Sequence, residues 1–145
     1  MPVVRHPSSP RRALRGAALA VAVASLAACG GTSTHGSDAA PVVPESQFKD
    51  LTGKRTVEVD AVDDAFQDRY IKVSAGTELV FRNAGRVPHN VLAANQGAFP
   101  DIQTDAFMPG DTAKVTFDGP GTYPYYCSLH GSPTRGMNAE IIVEG

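Results

Sequence analysis

From about residue 54 onward, the chain consists of short segments of alternating apolar and polar residues, separated by Gly and Pro. The clearest segments are residues 56–61 and 113–117. A period of two places one face of a strand in a core and the other in water. No ten-residue window in this region has a convincing helical period. Seven or eight such strands in about 90 residues predict an all-β protein, an antiparallel β-sandwich.

Turn residues set the limits of the expected strands. The chain has 14 Gly and 11 Pro in 145 residues, a high share that favours turns and leaves room for one domain. Ala75 and Gly76 form one turn, and residues 119–121 form another. We expect strands at residues 56–61, 70–73, 78–82, 89–93, 113–117, 122–127 and 138–143.

The first 28 residues predict an export signal. A basic stretch with four Arg precedes the short apolar segment 16–28, which ends in Leu-Ala-Ala before Cys29. This order resembles the signal of bacterial lipoproteins. The resemblance implies that Cys29 is acylated and anchors the protein to a membrane, facing the periplasm or the cell exterior. A plain secretory signal, with Cys29 free or in a disulfide, is the alternative, and Arg11-Arg12 leaves both Sec and twin-arginine export open.

Residues 29–53 predict a flexible linker between the lipidated Cys and a domain at residues 54–145, because the segment is small, polar and rich in Pro and Gly. Loss of residues 1–28 would remove four of 13 Lys and Arg and none of 15 Asp and Glu. The remaining charge, 9 minus 15, is −6. Such an acidic protein is a poor candidate for binding nucleic acid, so we expect no nucleic-acid partner. We also expect the protein to be a monomer.

Side chains that bind soft metals are concentrated in the second half of the predicted domain. They are His89, Met108, Cys127, His130 and Met137. Two His and one Cys in a trigonal set, with a weak axial Met, are the ligands of a blue-copper site. Cys127 ends an expected strand and His130 follows three residues later, so one tight loop carries both. Met108 precedes Pro109 in a turn, and we expect it to pack rather than bind metal.

The sequences PHNV at 88–91 and YCSLHGSPTRGM at 126–137 resemble the two copper loops of the plastocyanin–azurin group of cupredoxins. YIKVSAGTELVFRN at 70–83 resembles the segment before the first His of that group. The resemblance covers about residues 55–145. It implies a Greek-key β-sandwich with one type 1 copper, and it assigns the metal ligands to His89, Cys127, His130 and Met137.

The resemblance also assigns roles around the copper. Asn90 and Ser128 match the positions whose hydrogen bond ties the two ligand loops together. Tyr126 and the edge of His130 match electron-transfer routes, and Leu129 and Pro133, which flank His130, are expected to form an apolar contact patch. One difference is that six residues separate His130 from Met137, about two more than in plastocyanins.

The resemblance implies a one-electron carrier that cycles between Cu(II) and Cu(I) and exchanges electrons with redox partner proteins. Four protein ligands leave no open position for a substrate, which argues against an enzyme. A copper-binding module for trafficking or sequestration in the cell envelope is the alternative, and it would use the same ligands. A metal-free adhesion or ligand-binding lipoprotein of the same fold is a third possibility.

Overall fold

The computed structural model describes residues 42–145, so the expected signal peptide, Cys29 and residues 30–41 of the expected linker lie outside the described residues. The strands are β1 (Lys49–Asp50), β2 (Thr56–Val62), β3 (Ala65–Phe66), β4 (Tyr70–Ser74), β5 (Thr77–Asn83), β6 (Leu92–Ala93), β7 (Thr112–Phe117), β8 (Gly121–Ser132) and β9 (Arg135–Glu144). Two 3-10 turns lie at Glu45–Gln47 and Thr104–Ala106. Within residues 42–145, we find no helix with the length and hydrophobicity to span a membrane.

The strands form two sheets that share one hydrophobic core. One sheet has the order β1-β4-β9-β8-β6 and the other the order β3-β2-β5-β7. The alternation in β2 and β5 turns every second side chain inward, and Leu79 and Phe81 of β5 are fully buried. Ile71 of β4 and Ile141 of β9 meet them from the other sheet. The all-β sandwich expected from the alternating segments is therefore confirmed.

The directions of the strands differ from the expected antiparallel arrangement. The pairs β1–β4, β2–β5 and β4–β9 are parallel, so both sheets are mixed. The reason is that β4 and β5, although joined by a short turn at Gly76, belong to different sheets. Alternation reports which face of a strand is buried, and it carries no information about the direction of the neighbouring strand. The two-residue strands β1 and β3 were not expected and bring the strands of the described region to nine.

The folded region begins before residue 54, the domain start that we expected. Strand β1 pairs in parallel with β4, with Lys49 opposite Ile71. Phe48 and Leu51 are each only 9% exposed, and the N–H of Leu51 donates to the carbonyl of Lys72 at 2.8 Å. The linker prediction was therefore wrong for residues 45–51. Two isolated apolar residues in a Pro- and Ser-rich segment are too few to produce a recognisable period.

The expected strand at residues 89–93 is also shorter than predicted. Only Leu92–Ala93 pairs with β8, and Val91 forms an isolated bridge to Ile102. His89 and Asn90 precede the strand in a loop, because their backbone follows Pro88 and is held by the neighbouring loop instead of by a sheet. The shorter strand leaves these two side chains at the end of the sandwich.

Candidate metal centre

Three of the expected ligands come together at one end of the sandwich. The Sγ of Cys127 lies 3.7 Å from Nδ1 of His89 and 3.5 Å from Nδ1 of His130. The donor atoms of all three residues lie within 4.8 Å of one another. Cys127 and His89 are fully buried, whereas His130 is half-buried. The loop before β6 and the β8–β9 hairpin thus deliver their ligands to a single point.

The separations fit a metal bound by all three donors. Cys and His bind first-row metals such as zinc at about 2.0–2.3 Å. Two donors at such distances, separated by the angle of a trigonal site, lie about 3.7 Å apart. The observed sulfur–nitrogen distances of 3.7 and 3.5 Å match this value. One thiolate and two imidazoles are also the donor types that suit copper in both of its common oxidation states.

His89 is held from its backbone by a neighbouring loop. Its N–H donates to the carbonyl of Phe107 at 3.2 Å. The side-chain amide of Asn83, which is 1% exposed, donates to the carbonyls of Phe107 and Val87 at 2.9 Å each. Asn83 thereby links the segment before His89 to the loop that contains Phe107. Sequence reasoning assigned Asn83 no role, although a polar residue at a buried position of an apolar strand is the signal of such a contact.

The ring of His89 is in an environment that favours its neutral form. Burial lowers the pKa of His89 below its ordinary value, and the neighbouring His130 lowers it further. A neutral imidazole offers a lone pair to a metal, which a protonated one does not. Its Nε2 has no hydrogen-bond partner among residues 42–145. Gly85 lies against this edge of the ring, where an added Cβ would stand 3.2 Å from Nε2 and 2.9 Å from the backbone nitrogen of Asp63.

The hairpin formed by β8 and β9 explains how Met137 faces the other ligands. Tyr126 pairs with Asn138, and the pairing resumes only at Gly131 and Gly136. Four residues of β8, 127–130, therefore arch over the single residue Met137 of β9. Met137 is 1% exposed and belongs to the same buried cluster as Cys127. The thioether lies beneath the arch that carries the thiol and the second imidazole.

Two glycines allow the hairpin to close beyond the arch. A Cβ on Gly131 would lie 2.5 Å from the backbone nitrogen of Met137 and 2.6 Å from the carbonyl oxygen of Arg135. A Cβ on Gly136 would lie 2.5 Å from the carbonyl oxygen of His130, and the φ of Gly136 is +71°. All three separations are too short for any side chain, so glycine at these positions brings the backbones of His130 and Met137 together.

Asn90 and Ser128 connect the two ligand-bearing segments by a pair of hydrogen bonds, at the positions that the sequence indicated. The N–H of Ser128 donates to Oδ1 of Asn90 at 2.8 Å, and Nδ2 of Asn90 donates to Oγ of Ser128 at 2.9 Å. The same Nδ2 also donates to Thr104 at 3.1 Å. Asn90 follows His89, and Ser128 follows Cys127. The pair therefore fixes the distance between these two donors.

The remaining expected residues are closer to the surface. Tyr126 is half-buried on the outer side of β8, next to Cys127 in the chain. The ring of His130 lies 4.9 Å from that of His89, between centroids, and keeps part of its surface open. Met108, which we expected to pack rather than bind metal, is 44% exposed and therefore packs only in part. The loop of residues 107–111 turns it outward, because N–H of Met108 donates to the carboxylate of Asp111.

A β-sandwich with two imidazoles, a thiol and a buried thioether gathered at one end defines a cupredoxin, and its donor set is that of a type 1 copper site. The comparisons with known proteins agree with this class. The family model described as copper binding proteins, plastocyanin/azurin family, matches residues 54–144. The chain belongs to this family, and its cofactor is copper.

Among curated proteins, the chain is 30% identical to amicyanin-alpha of Methylorubrum extorquens over 128 residues, 88% of this chain and 98% of that protein. It is 38% identical to the chloroplastic plastocyanin of Fritillaria agrestis over 88 residues, 54% of this chain and 52% of that protein. The chain thus spans about half the length of the plastocyanin. Amicyanin from Paracoccus versutus, a solved structure, is 25% identical and superposes with a TM-score of 0.51 over 61% of this chain and 81% of that one.

Proposed function

We propose that the protein is a one-electron carrier whose copper cycles between Cu(II) and Cu(I). A copper ion held by the four expected ligands would take one electron from a donor protein and give it to an acceptor protein. The arrangement of Cys127 and His130 over Met137, with His89 on the neighbouring loop, is the observation that carries this proposal. Four protein ligands leave copper no open position for a substrate, so electron transfer suits the site better than catalysis.

The supporting contacts suit a site that changes little between its two oxidation states. Asn83 and Asn90 hold the loop of His89, and Gly131 and Gly136 hold the hairpin close. A site whose ligands are locked by packing and hydrogen bonds keeps its geometry when the charge of the metal changes. Fast electron exchange follows from this, because few atoms move during the transfer.

A partner protein would approach the end of the sandwich that carries the copper. Four large apolar side chains are exposed in the described region, namely Val42, Val87, Met108 and Leu129. Three of them surround the ligands: Val87 precedes Pro88-His89, Leu129 precedes His130, and Met108 follows Phe107, which accepts the N–H of His89. An apolar contact surface around the half-buried His130 would bring a partner close to the metal. Tyr126 offers the electron a second route, through the peptide bond that joins it to Cys127.

The location of the protein belongs to the same proposal. The basic stretch, the apolar segment and Cys29 support export and a lipid anchor on the outer side of a membrane. Replacing Cys29 by Ser in the full chain should move the protein from the membrane fraction to the soluble fraction and abolish labelling with a radioactive fatty acid. Membrane retention and labelling of the Cys29→Ser chain would contradict the anchor.

The first test of the copper site is a visible absorption spectrum of residues 30–145, which include the whole described region, titrated with Cu(II). We expect an intense blue band that saturates at one copper per chain, because the Cys127 thiolate transfers charge to Cu(II). Reduction with ascorbate should bleach the band, and reoxidation should restore it at constant copper content. Copper that binds but is released on each reduction would favour trafficking or sequestration over electron transfer.

Variants of two sulfur residues complete the test. Cys127→Ser should remove the blue band and most of the copper affinity, since no other thiol lies in the described region. Met108→Leu, a change of an exposed thioether outside the buried cluster that contains Cys127 and Met137, should leave the band and the copper affinity unchanged. A Cys127→Ser chain that stays blue would overturn the assignment of the thiolate.

A further inference from the structure

A line of polar contacts on the outer side of the five-stranded sheet ends at the hairpin that carries the copper ligands. Asn138 follows Met137 in β9, so its side chain leaves the opposite face of the strand. It is only 7% exposed. Its Nδ2 donates to the carbonyl of Ser132 at 3.3 Å, and its Oδ1 accepts a hydrogen bond from the guanidinium of Arg69. The amide is thus engaged at both of its ends.

Arg69 is itself fixed in place. Its guanidinium carbon lies 5.2 Å from the centre of the Tyr70 ring, a favourable cation–π distance. Its carbonyl accepts the N–H of Glu140 at 3.0 Å, which fastens the backbone of Arg69 to β9. Because Arg69 is anchored by its backbone and by its side chain, it holds the amide of Asn138 in the orientation that reaches Ser132.

The contact between Asn138 and Ser132 spans the ligand hairpin. Ser132 lies two residues after His130, and Asn138 lies one residue after Met137. Residues 132–135 form the tip of the hairpin, within the six residues that separate His130 from Met137. A connection of this length has many conformations available to it, so a restraint at this point selects one of them.

We propose that Asn138, held by Arg69, is a positioning residue that fixes the hairpin tip and through it the placement of His130 and Met137 at the copper. This inference rests on the copper site proposed above. Without the restraint, both donors bind less firmly. Cu(II) depends more than Cu(I) on a full set of donors, so its affinity falls more and the reduction potential rises. A tenfold larger loss for Cu(II) than for Cu(I) corresponds to a rise of about 59 mV.

The test compares variants at the contact with a control variant on the other sheet, which changes the charge by the same amount as Arg69→Gln. Asn138→Leu removes both hydrogen bonds with little change in volume and none in charge. Arg69→Gln removes the support of Asn138. Arg82→Gln is the control, because Arg82 binds Asp60 at 2.9 and 2.8 Å on the other sheet. For each copper-loaded chain, the intensity ratio of the thiolate-to-Cu(II) absorption bands and the midpoint potential are measured, together with the thermal unfolding of the metal-free form.

We expect Asn138→Leu to change the band ratio and raise the midpoint potential, and Arg69→Gln to have the same effects more weakly. Arg69→Lys keeps a cationic donor, so its band ratio and potential should lie closer to those of the unaltered chain than the values of Arg69→Gln do. Arg82→Gln should leave the band ratio unchanged.

Unchanged spectra and potentials in Asn138→Leu and Arg69→Gln, with only a lower unfolding temperature, would overturn the inference and make the contact structural. An unaltered chain that stays colourless with copper would instead overturn the proposed function. If Asn138→Leu fails to fold, Arg69→Gln decides.

Discussion

At the scale of single residues, the hydroxyl of Tyr125 lacks a partner. The ring is 1% exposed and packs edge-on against Phe66 and Phe81, at 4.8 and 5.6 Å between centroids. Its hydroxyl has no hydrogen-bond partner within residues 42–145, and burial raises the pKa of Tyr125, so the group is neutral. A buried hydroxyl without a partner is unfavourable to the folded state.

Tyr125→Phe should therefore raise the free energy of unfolding of the metal-free domain by about 1 kcal/mol, since the aromatic packing is kept and the desolvated hydroxyl is removed. Chemical denaturation measures the change. Tyr123→Phe is the matched control, because the hydroxyl of Tyr123 donates to the carbonyl of Gly119 at 2.7 Å, and its loss should lower stability. A Tyr125→Phe domain less stable than the parent would show that the hydroxyl has a partner after all.

Glu140 makes the stability of the domain depend on pH. Burial raises the pKa of Glu140 above its ordinary value of 4.5, so the folded state favours the protonated form. The contribution of Glu140 is present below pH 4.5 and is lost as pH rises through its raised pKa. Glu140→Gln should hence stabilise the metal-free domain at pH 7 and make no difference near pH 4. Denaturation series at the two pH values measure this, and an equal effect at both would contradict the ionisation as its cause.

The sequence predicted the residues that meet at the metal centre better than those that support them. His89, Cys127 and His130 carry donor types that bind copper, and their order and spacing along the chain were informative. Their assignment as ligands, and that of Met137, stays a prediction. Asn83, Gly85 and Asn138 act through backbone carbonyls and close approach. Such contacts depend on which loops are neighbours, and no local pattern reveals this.

At the scale of elements, the β8–β9 hairpin combines regular pairing with a break. The pairing of Tyr126 with Asn138 and of Gly131 with Gly136 leaves four residues of β8 facing one of β9. The sequence predicted two strands, at residues 122–127 and 138–143, with a loop between them. Both strands extend into that loop, since Gly131 and Gly136 allow a second section of pairing that alternation does not reveal.

Gly131→Ala should disturb the second section of the hairpin. The added Cβ would meet two backbone atoms that have no free rotation, so the strands must separate. We expect a loss of about 1–3 kcal/mol in the free energy of unfolding, as for other overpacked positions, and weaker Cu(II) binding measured by competition with a chelator. Gly119→Ala is the control in the turn before β8, where the nearest atom would be the Tyr123 hydroxyl at 3.4 Å. Equal effects of the two changes would contradict the role of close approach.

At the scale of the whole molecule, the ligands come from two separate parts of the described sequence. His89 lies in the loop between β5 of the four-stranded sheet and β6 of the five-stranded sheet, whereas Cys127, His130 and Met137 belong to the β8–β9 hairpin. A metal bound by all of them joins this loop to the hairpin, and the complete site forms only in the folded chain. Copper binding is therefore coupled to the stability of the entire sandwich.

Copper should raise the unfolding temperature of the domain, because it binds the folded state more tightly than the unfolded one. With free copper at about 1,000 times the dissociation constant, the gain is about 4.1 kcal/mol. Scanning calorimetry of the metal-free and copper-loaded forms measures it. Cys127→Ser should lose most of the gain. An unfolding temperature that does not respond to copper would mean that the metal binds outside the folded centre.

The short strand β1 has a consequence for where the molecule ends. Lys49 and Asp50 cover the backbone of β4, and Leu51 adds a further hydrogen bond to it. A chain cut at residue 54 would leave β4 as an exposed edge strand whose N–H and C=O groups are open to any other extended chain. Exposed edge strands of this kind promote self-association into insoluble aggregates. Strand β1, which the composition assigns to a linker, therefore covers the edge of β4 that would otherwise be open to pairing with another copy of the protein.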